Sequence, residues 1–128
     1  MDHKEFYRKT GVEVTLEVIG GKWKSIILYH LTTGKKRTSQ LKKLTPNITQ
    51  KMLTKQLREL ECDGIISRTF YNQIPLKVEY ELTEYGWSLK QLLDSVCEWG
   101  ERHAVLCDKH RPVDTGVEGA GVDSEWIK

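Results

Sequence analysis

The side chains best suited to chemistry in this sequence are lysines and arginines that crowd into a stretch without acids. Between Glu17 and Glu59 the chain has ten cationic residues and no aspartate or glutamate. They are Lys22, Lys24, Lys35, Lys36, Arg37, Lys42, Lys43, Lys51, Lys55 and Arg58. A local positive field of this kind attracts a polyanion such as nucleic acid. A solvated surface with acids nearby in space would have the same distribution of charge along the sequence, so the charges alone do not decide the function.

The positive charge belongs to one part of the chain rather than to the whole. Residues 1–78 hold 15 basic and 7 acidic side chains, whereas residues 79–128 hold 5 and 11, for a net charge of +2. A domain of 128 residues buries about two-thirds of the surface that its unfolded chain exposes. The chain therefore needs no disulfide scaffold, and its 38% hydrophobic content argues against wholesale disorder.

Several function classes find little support in the sequence. No phosphate-binding glycine loop, HExxH motif or nucleophile elbow occurs, so we expect no enzyme activity and no cofactor. His103, Cys107 and His110 could hold a metal only if one helix ran through all three, and we expect no metal site. The first ten residues are polar and no apolar stretch could cross a bilayer, which predicts a soluble cytoplasmic protein without a membrane partner.

Periodicity places the cations on secondary structure. It predicts, in chain order, helices over residues 12–19, 22–32, 38–44 and 49–62, strands over 65–71 and 77–82, and a long helical region opening at Thr83. Thr38 or Ser39 is the expected N-cap of the third helix and Thr49 that of the fourth. The loop around Asn72-Gln73-Ile74-Pro75 makes the two strands a hairpin.

The helix predicted over residues 49–62 has two chemically distinct faces. At 100° per residue, Met52, Leu53, Gln56, Leu57 and Leu60 gather on one side, and Lys51, Thr54, Lys55, Arg58 and Cys62 gather on the other. One face is suited to a core and the other to a polyanion.

The order of elements predicts an α+β fold, a winged helix-turn-helix with additional N- and C-terminal dimerisation helices. Residues 1–110 would form this DNA-binding and dimerisation domain, and residues 111–128 a flexible tail. The amphipathic helix fits a major groove, and the hairpin can reach a neighbouring minor groove or phosphate strand. The alternative is a small α+β domain whose basic helix is merely solvated.

Three ordered motifs resemble the HxlR family of bacterial winged-helix transcription regulators, which is related to the MarR group. They are Val18-Ile19-Gly20-Gly21-Lys22-Trp23, the segment Met52-Leu53-Thr54 to Arg68 containing Leu57-Arg58-Glu59-Leu60-Glu61 and Asp63-Gly64-Ile65-Ile66, and Val78-Glu79-Tyr80 to Gly86. The resemblance spans about residues 8–105 and implies a homodimer that represses or activates at an inverted-repeat operator. Several members sense electrophiles or oxidants through a cysteine in a Cys-Pro-Val-Glu context, where this chain has Thr10-Gly11-Val12-Glu13.

The expected partner is therefore double-stranded DNA, with a winged-helix module for protein contact alone as the alternative. The candidate DNA-binding residues are Lys35, Lys36, Arg37, Thr38, Thr49, Gln50, Lys51, Thr54, Lys55, Arg58 and Lys77. Arg68 is expected to form a cross-strand ion pair with Glu79 or Glu81 rather than to contact DNA. Trp23, Trp87 and Trp99 are expected to be core or dimer-interface anchors.

The three cysteines are odd in number and widely spaced, which favours reduced thiols over a disulfide framework. Cys62 is the candidate redox-sensing residue because a cation such as Arg58 makes a nearby thiol more reactive, although most lone cytosolic cysteines have no function. Cys97 falls among apolar residues, so we expect it to be buried and inert. Cys107 lies near the expected tail, far from the DNA face. The sequence does not identify a small-molecule or electrophile effector.

Overall fold

The structure is a computed structural model that describes residues 9–107. Its helices and strands occur in the order that the sequence predicts. The elements are α1 (Gly11–Ile19), α2 (Lys24–Leu31), β1 (Lys36–Arg37), α3 (Thr38–Leu44), α4 (Gln50–Cys62), β2 (Ile66–Tyr71), β3 (Lys77–Leu82), α5 (Glu84–Trp87) and α6 (Lys90–Cys107). This arrangement confirms the α+β winged-helix class. The tail predicted for residues 111–128 lies outside the described residues, as does His110.

The described residues divide into two compact units, one ending at Lys90 and the other beginning at Gln91. The core of the first unit consists of aliphatic side chains that are almost completely buried: Ile27, Leu28, Leu31, Leu41, Ile48, Leu53, Leu57, Leu60 and Ile66. They come from α2, α3, α4 and β2, together with the turn before α4. Burial of so many aliphatic groups is the main stabilising contribution to this unit.

Helices α3 and α4 form the helix-turn-helix, and local hydrogen bonds define where α4 begins and ends. Thr49 Oγ1 accepts from the Met52 backbone N–H at 3.0 Å, which confirms the predicted N-cap. At the other end Gly64 has φ +76°, a left-handed conformation that a side chain would strain. The Ile65 N–H donates to the Leu60 carbonyl at 3.0 Å and β2 begins at the next residue, so the end of α4 is held against the start of the hairpin.

The hairpin of β2 and β3, called the wing below, belongs to a three-stranded antiparallel sheet in the order β1-β3-β2. Residues 68 and 80 are opposite each other across the wing, as are Thr69 and Glu79, and Tyr71 and Lys77. Strand β1 adds Lys36 opposite Tyr80. The two-residue strand β1 was not predicted, because so short a segment carries no detectable alternation.

The turn after the wing depends on Thr83 and Gly86. The Thr83 hydroxyl accepts from the Gly86 N–H at 2.9 Å and donates to the Gly64 carbonyl at 2.7 Å. A Cβ on Gly86 would lie 2.1 Å from the Ile65 carbonyl oxygen, so any side chain there forces the backbone apart. These contacts explain why threonine and glycine occur at this spacing.

The start of α2 and the cap of α3 differ from the sequence-based prediction, and the one helical region predicted from Thr83 is divided into α5 and α6. Helix α2 begins at Lys24 instead of residue 22, after a turn in which Gly21 has φ +82°. Neither Thr38 nor Ser39 caps α3, because Thr38 is already its first residue and Arg37 precedes it. The Arg37 N–H donates to Gln40 Oε1 at 2.7 Å instead. A glutamine that reaches back from the first turn thus replaces the expected hydroxyl cap.

The second unit contributes all but the first residue of the 18-residue helix α6 to the described structure. Three of its large apolar side chains, Leu92, Val96 and Trp99, are exposed. The Trp99 ring stacks on His103 with centroids 5.0 Å apart. Because Trp99 is 64% exposed, it is not a core residue of the monomer. Within residues 9–107 no helix is both long and apolar enough to span a membrane.

Candidate nucleic-acid interface

Helix α4 presents a polar, cationic face opposite its buried leucines. This cationic face of α4 consists of Gln50, Lys51, Thr54, Lys55 and Arg58, all of which are exposed. Leu53, Leu57 and Leu60 on the other side have at most 1% of their surface accessible. A 13-residue helix is about 20 Å long, a length suited to the major groove. The predicted separation of the two faces is therefore present in the structure.

Glu59 reduces the charge at one end of this face. Its Oε1 lies 2.7 Å from Lys24 Nζ of α2, and its Oε2 lies 4.0 Å from Lys55 Nζ one turn away. The hydrogen bond and positive charge of Lys24, helped by Lys55, hold the pKa of Glu59 below its usual value. Lys24 is largely covered in this ion pair, whereas the side chain of Lys55 is 63% exposed. Lys55 thus stays accessible to a ligand, and Lys24 ties α2 to α4.

A second set of cations gathers around Glu79 at the wing. Lys35 Nζ lies 3.9 Å from Glu79 Oε1, and Lys77 Nζ lies 3.6 Å from Glu79 Oε2. Lys77 Nζ also sits 4.6 Å from the centre of the Tyr71 ring, in a cation–π contact. These four residues, called the wing cluster below, join the loop before β1 to both strands of the wing. The sequence did not reveal the cluster, because Glu79 lies more than 40 residues from Lys35.

The remaining predicted cations of the β1 region differ in their surroundings. Lys36 Nζ donates to Thr33 Oγ1 at 2.8 Å and to the Gly34 carbonyl at 3.1 Å, at the end of α2. Burial and the nearby Lys36 charge lower the pKa of His30, against a backbone hydrogen bond at Leu44. Lys36 is thus held by the protein itself. Arg37 and Thr38 are half-buried where β1 meets α3.

The expected ion pair of Arg68 with Glu79 or Glu81 is wrong. Arg68 is directly opposite Tyr80, whereas Glu79 is opposite Thr69 and Glu81 is opposite Ser67. Because adjacent residues of a strand point to opposite faces, Arg68 lies on the other side of the sheet from both acids. Arg68 is exposed, and Glu79 pairs with lysines instead.

The thiols only partly match the expectations from sequence. Cys62 is exposed and ends α4, one turn after Arg58. Cys97 is half-exposed with its Sγ 3.5 Å from Glu101 Oε2, so the prediction that it is buried is wrong. The apolar side chains closest to it in sequence, Val96 and Trp99, are themselves exposed and do not cover it. Cys107 Sγ lies 3.3 Å from His103 Nε2. Among the described residues, no three metal-binding side chains are grouped in a way that could hold an ion.

A cavity of about 130 Å³ lies within the first unit, beside α1. Its lining is mainly apolar and includes Val14, Val18, Ile19, Ile65 and Leu89. Polar atoms come from Thr15, Ser88 and Tyr85. The Thr15 and Ser88 hydroxyls donate to backbone carbonyls of their own helical turns, at 2.8 and 2.5 Å. The cavity is thus mainly apolar, and two of its hydroxyl groups are already engaged.

Comparison with known proteins connects this geometry to a family. Residues 18–107 match the model of the HxlR-like helix-turn-helix. The chain is 66% identical over 103 residues to the HTH-type transcriptional regulator YtcD of Bacillus subtilis, covering 80% of each protein. A crystal structure of YtcD is similar with a TM-score of 0.71 and 68% identity, over 75% of this chain and 98% of that one.

The redox regulator HypR in its reduced form is also similar in structure. The TM-score is 0.74 at 50% identity, and the match covers 79% of this chain and all of that one. The match of the family model over most of the chain agrees with the motifs noted in the sequence. Relatives of this kind are transcription regulators and not enzymes. The chain therefore belongs to the HxlR-like helix-turn-helix family of transcription regulators.

Proposed function

We propose that this protein regulates transcription by binding an inverted-repeat DNA operator as a homodimer, with α4 in the major groove. The observation that carries the proposal is the division of α4 into buried leucines and the exposed cationic face. Lys51, Lys55 and Arg58 can neutralise phosphates or donate to guanine edges, and Gln50 can pair with adenine. Thr49 lies at the helix start, where free N–H groups favour phosphate.

The wing and the β1 loop would contribute further backbone contacts. Lys35 and Lys77 of the wing cluster have side chains 51% and 26% exposed, so phosphate can reach both. Lys36 and Arg37 form β1, which pairs with the wing, and Thr38 begins α3; these three residues complete the proposed interface. Of these, Lys36 is the weakest candidate, because its ammonium already donates to Thr33 and Gly34.

The homodimer is proposed because two helices leave apolar side chains in water. Val12 and Leu16 of α1 are 68% and 58% exposed, and Val96 and Trp99 of α6 are 52% and 64% exposed. Exposed apolar groups in such number mark association surfaces, and an inverted repeat needs a two-fold symmetric reader. Sedimentation at micromolar concentration should give the mass of a dimer. A monomer would contradict the proposal.

The DNA-binding part is tested by removing cations one at a time. Lys51→Ala, Lys55→Ala and Arg58→Ala should weaken binding without unfolding the domain, since all three side chains are exposed. A phosphate contact should lower affinity on every duplex and reduce the salt slope by about one, whereas a base contact should cost about 1–3 kcal/mol on the selected site only. Lys22→Ala removes the same charge from the turn before α2 and is the control. If all three variants bound DNA like the parent, α4 would not be the recognition helix.

Salt dependence separates this function from the alternative of a module for protein contact. Affinity that depends on phosphates falls steeply between 50 and 200 mM salt, by about 10³–10⁵ for 6–10 phosphate contacts. Apolar docking of a protein partner would change little over the same range. Binding to DNA that is insensitive to salt would therefore count against the proposed interface.

An effector would act in a way that differs from thiol sensing at the start of α1. Thr10 occupies that position, and its Oγ1 accepts from the Glu13 N–H at 3.1 Å as the N-cap of α1. The similar structures include HypR, a redox regulator, solved in oxidised and reduced forms. In this chain the candidate redox-sensing residue is Cys62, which is exposed at the end of α4. Without a thiol at position 10, we expect oxidants to change operator affinity little. We place the protein in the cytoplasm, where its DNA target would be.

A further inference from the structure

We propose that the tip of the wing is an apolar wedge that inserts into the DNA minor groove and bends the operator. The inference rests on the proposed DNA-binding function and adds a second mode of contact to it. Ile74 is 98% exposed and Leu76 is 67% exposed, with Pro75 between them. An isoleucine side chain this exposed gains almost no stabilisation from packing in the free protein.

The register of the wing shows how far these side chains project. Tyr71 and Lys77 form the last pair of the ladder, so residues 72–76 lie beyond the end of the sheet. Leu76 directly precedes Lys77, a member of the wing cluster. The apolar tip and Lys77 of the wing cluster thus follow one another along the same hairpin, and Lys35 reaches the cluster from the loop before β1. A phosphate strand bound by Lys35 and Lys77 would bring the adjacent groove to the tip.

The charges around the tip favour DNA over a protein or a second copy of this chain. Residues 72–78 contain no acid, and the cation nearest to the tip in sequence, Lys77, is 26% exposed and pairs with Glu79 on the side away from the tip in sequence. Apolar side chains such as isoleucine, leucine and proline enter the minor groove between base steps, unstack them partly and kink the duplex. The bend then gives specificity through the deformability of the sequence, at base pairs that α4 does not touch.

The test uses a duplex that the unmodified protein selects from a random-sequence library. Fluorescent dyes at its two ends report bending through energy transfer, and titration reports affinity. The double variant Ile74→Ser, Leu76→Ser should bind the selected site about tenfold more weakly and leave it as straight as free DNA. Its affinity for random duplex should stay within about twofold, because phosphate contacts are kept. Gln73→Ala, at an exposed polar neighbour, is the matched control and should bend DNA like the parent.

A second substitution separates the wedge from a merely sticky tip. Ile74→Arg adds a cation that a phosphate can bind, so it should raise affinity for random duplex while lowering the bend. The wedge is refuted if the parent binds without bending, or if the serine variant bends DNA fully. It is also refuted if the only change in the serine variant is that it sediments as a monomer, because the tip would then form a contact between two copies of the chain. Failure of the parent to bind any duplex would refute the proposed function itself.

Discussion

Replacing Glu79 by glutamine should strengthen DNA binding, because this carboxylate neutralises two of the proposed phosphate-binding lysines. Its two oxygens lie 3.9 Å from Lys35 Nζ and 3.6 Å from Lys77 Nζ, and its side chain is only 17% exposed. A phosphate that approaches either lysine is repelled by the carboxylate and competes with it. Glutamine keeps the shape and removes the charge, so both ammonium groups become available.

The expected magnitude follows from counterion release. Removing one negative charge from the wing cluster is equivalent to about one more phosphate neutralised, which steepens the slope of log K against log salt by about 0.9. Between 50 and 200 mM salt the variant should therefore lose about 3.5-fold more affinity than the parent. If the two proteins bind alike near 1 M salt, Glu79→Gln should bind about eightfold more tightly at 0.1 M.

The assay is fluorescence anisotropy of a labelled duplex at four or more salt concentrations. Glu81→Gln removes the same charge two residues along β3, where Glu81 is exposed and opposite Ser67, and should change the slope less. An unchanged slope in Glu79→Gln would show that the wing cluster does not contact phosphate. Weaker binding would show that the carboxylate is needed to hold the two lysines in place, which is the opposite of the reasoning above.

Three further predictions concern α4. Leu57→Ala should lower the free energy of unfolding by about 2–5 kcal/mol, measured by urea titration, because Leu57 is 1% exposed in the core; a loss below 1 kcal/mol would contradict this packing. Since the pKa of Glu59 is lowered by Lys24, the ion pair stabilises the fold above the unfolded pKa of the carboxyl and is lost as pH falls through the folded value. Glu59→Gln should therefore flatten the acid limb of stability against pH, and an identical limb would refute the linkage. Diamide should leave operator affinity largely intact, and any loss should vanish in Cys62→Ser; a loss that survived would place the sensitive thiol elsewhere.

Much of this architecture is predictable because it depends on local spacing. Leu53, Leu57 and Leu60 repeat at the helical period, so the buried side of α4 and the opposite cationic side follow from the sequence alone. The cap that depends on the hydroxyl of Thr49 was also recognisable from residue type. Strong amphipathic periodicity is rarely overridden by tertiary packing.

The contacts that sequence reasoning missed depend on register and on distant pairing. The partner of Arg68 was decided by the alignment of the two strands, and a shift of one residue would have exchanged Tyr80 for an acid. The ion pair of Lys24 with Glu59 joins two helices that are far apart in the chain. Neither contact can be predicted from residues that are close together in the sequence. A count of lysines and arginines therefore overestimates the number of cations that have no acidic partner.

The two carboxylates, Glu59 and Glu79, also bear on how the protein could distinguish its site from other DNA. Each is bonded to cations of the basic surface, so the positive field is weaker than the number of lysines indicates. Non-specific affinity depends almost wholly on that field, whereas the proposed base contacts from Gln50 or Arg58 and the proposed bending by the wing do not. Lowering only the non-specific affinity raises the ratio of specific to non-specific affinity. This ratio is the quantity that matters among the many competing sites of a genome. Acids within a DNA-binding surface therefore favour selectivity at a cost in total affinity, and Glu79→Gln should gain affinity on random duplex at least as much as on the selected site.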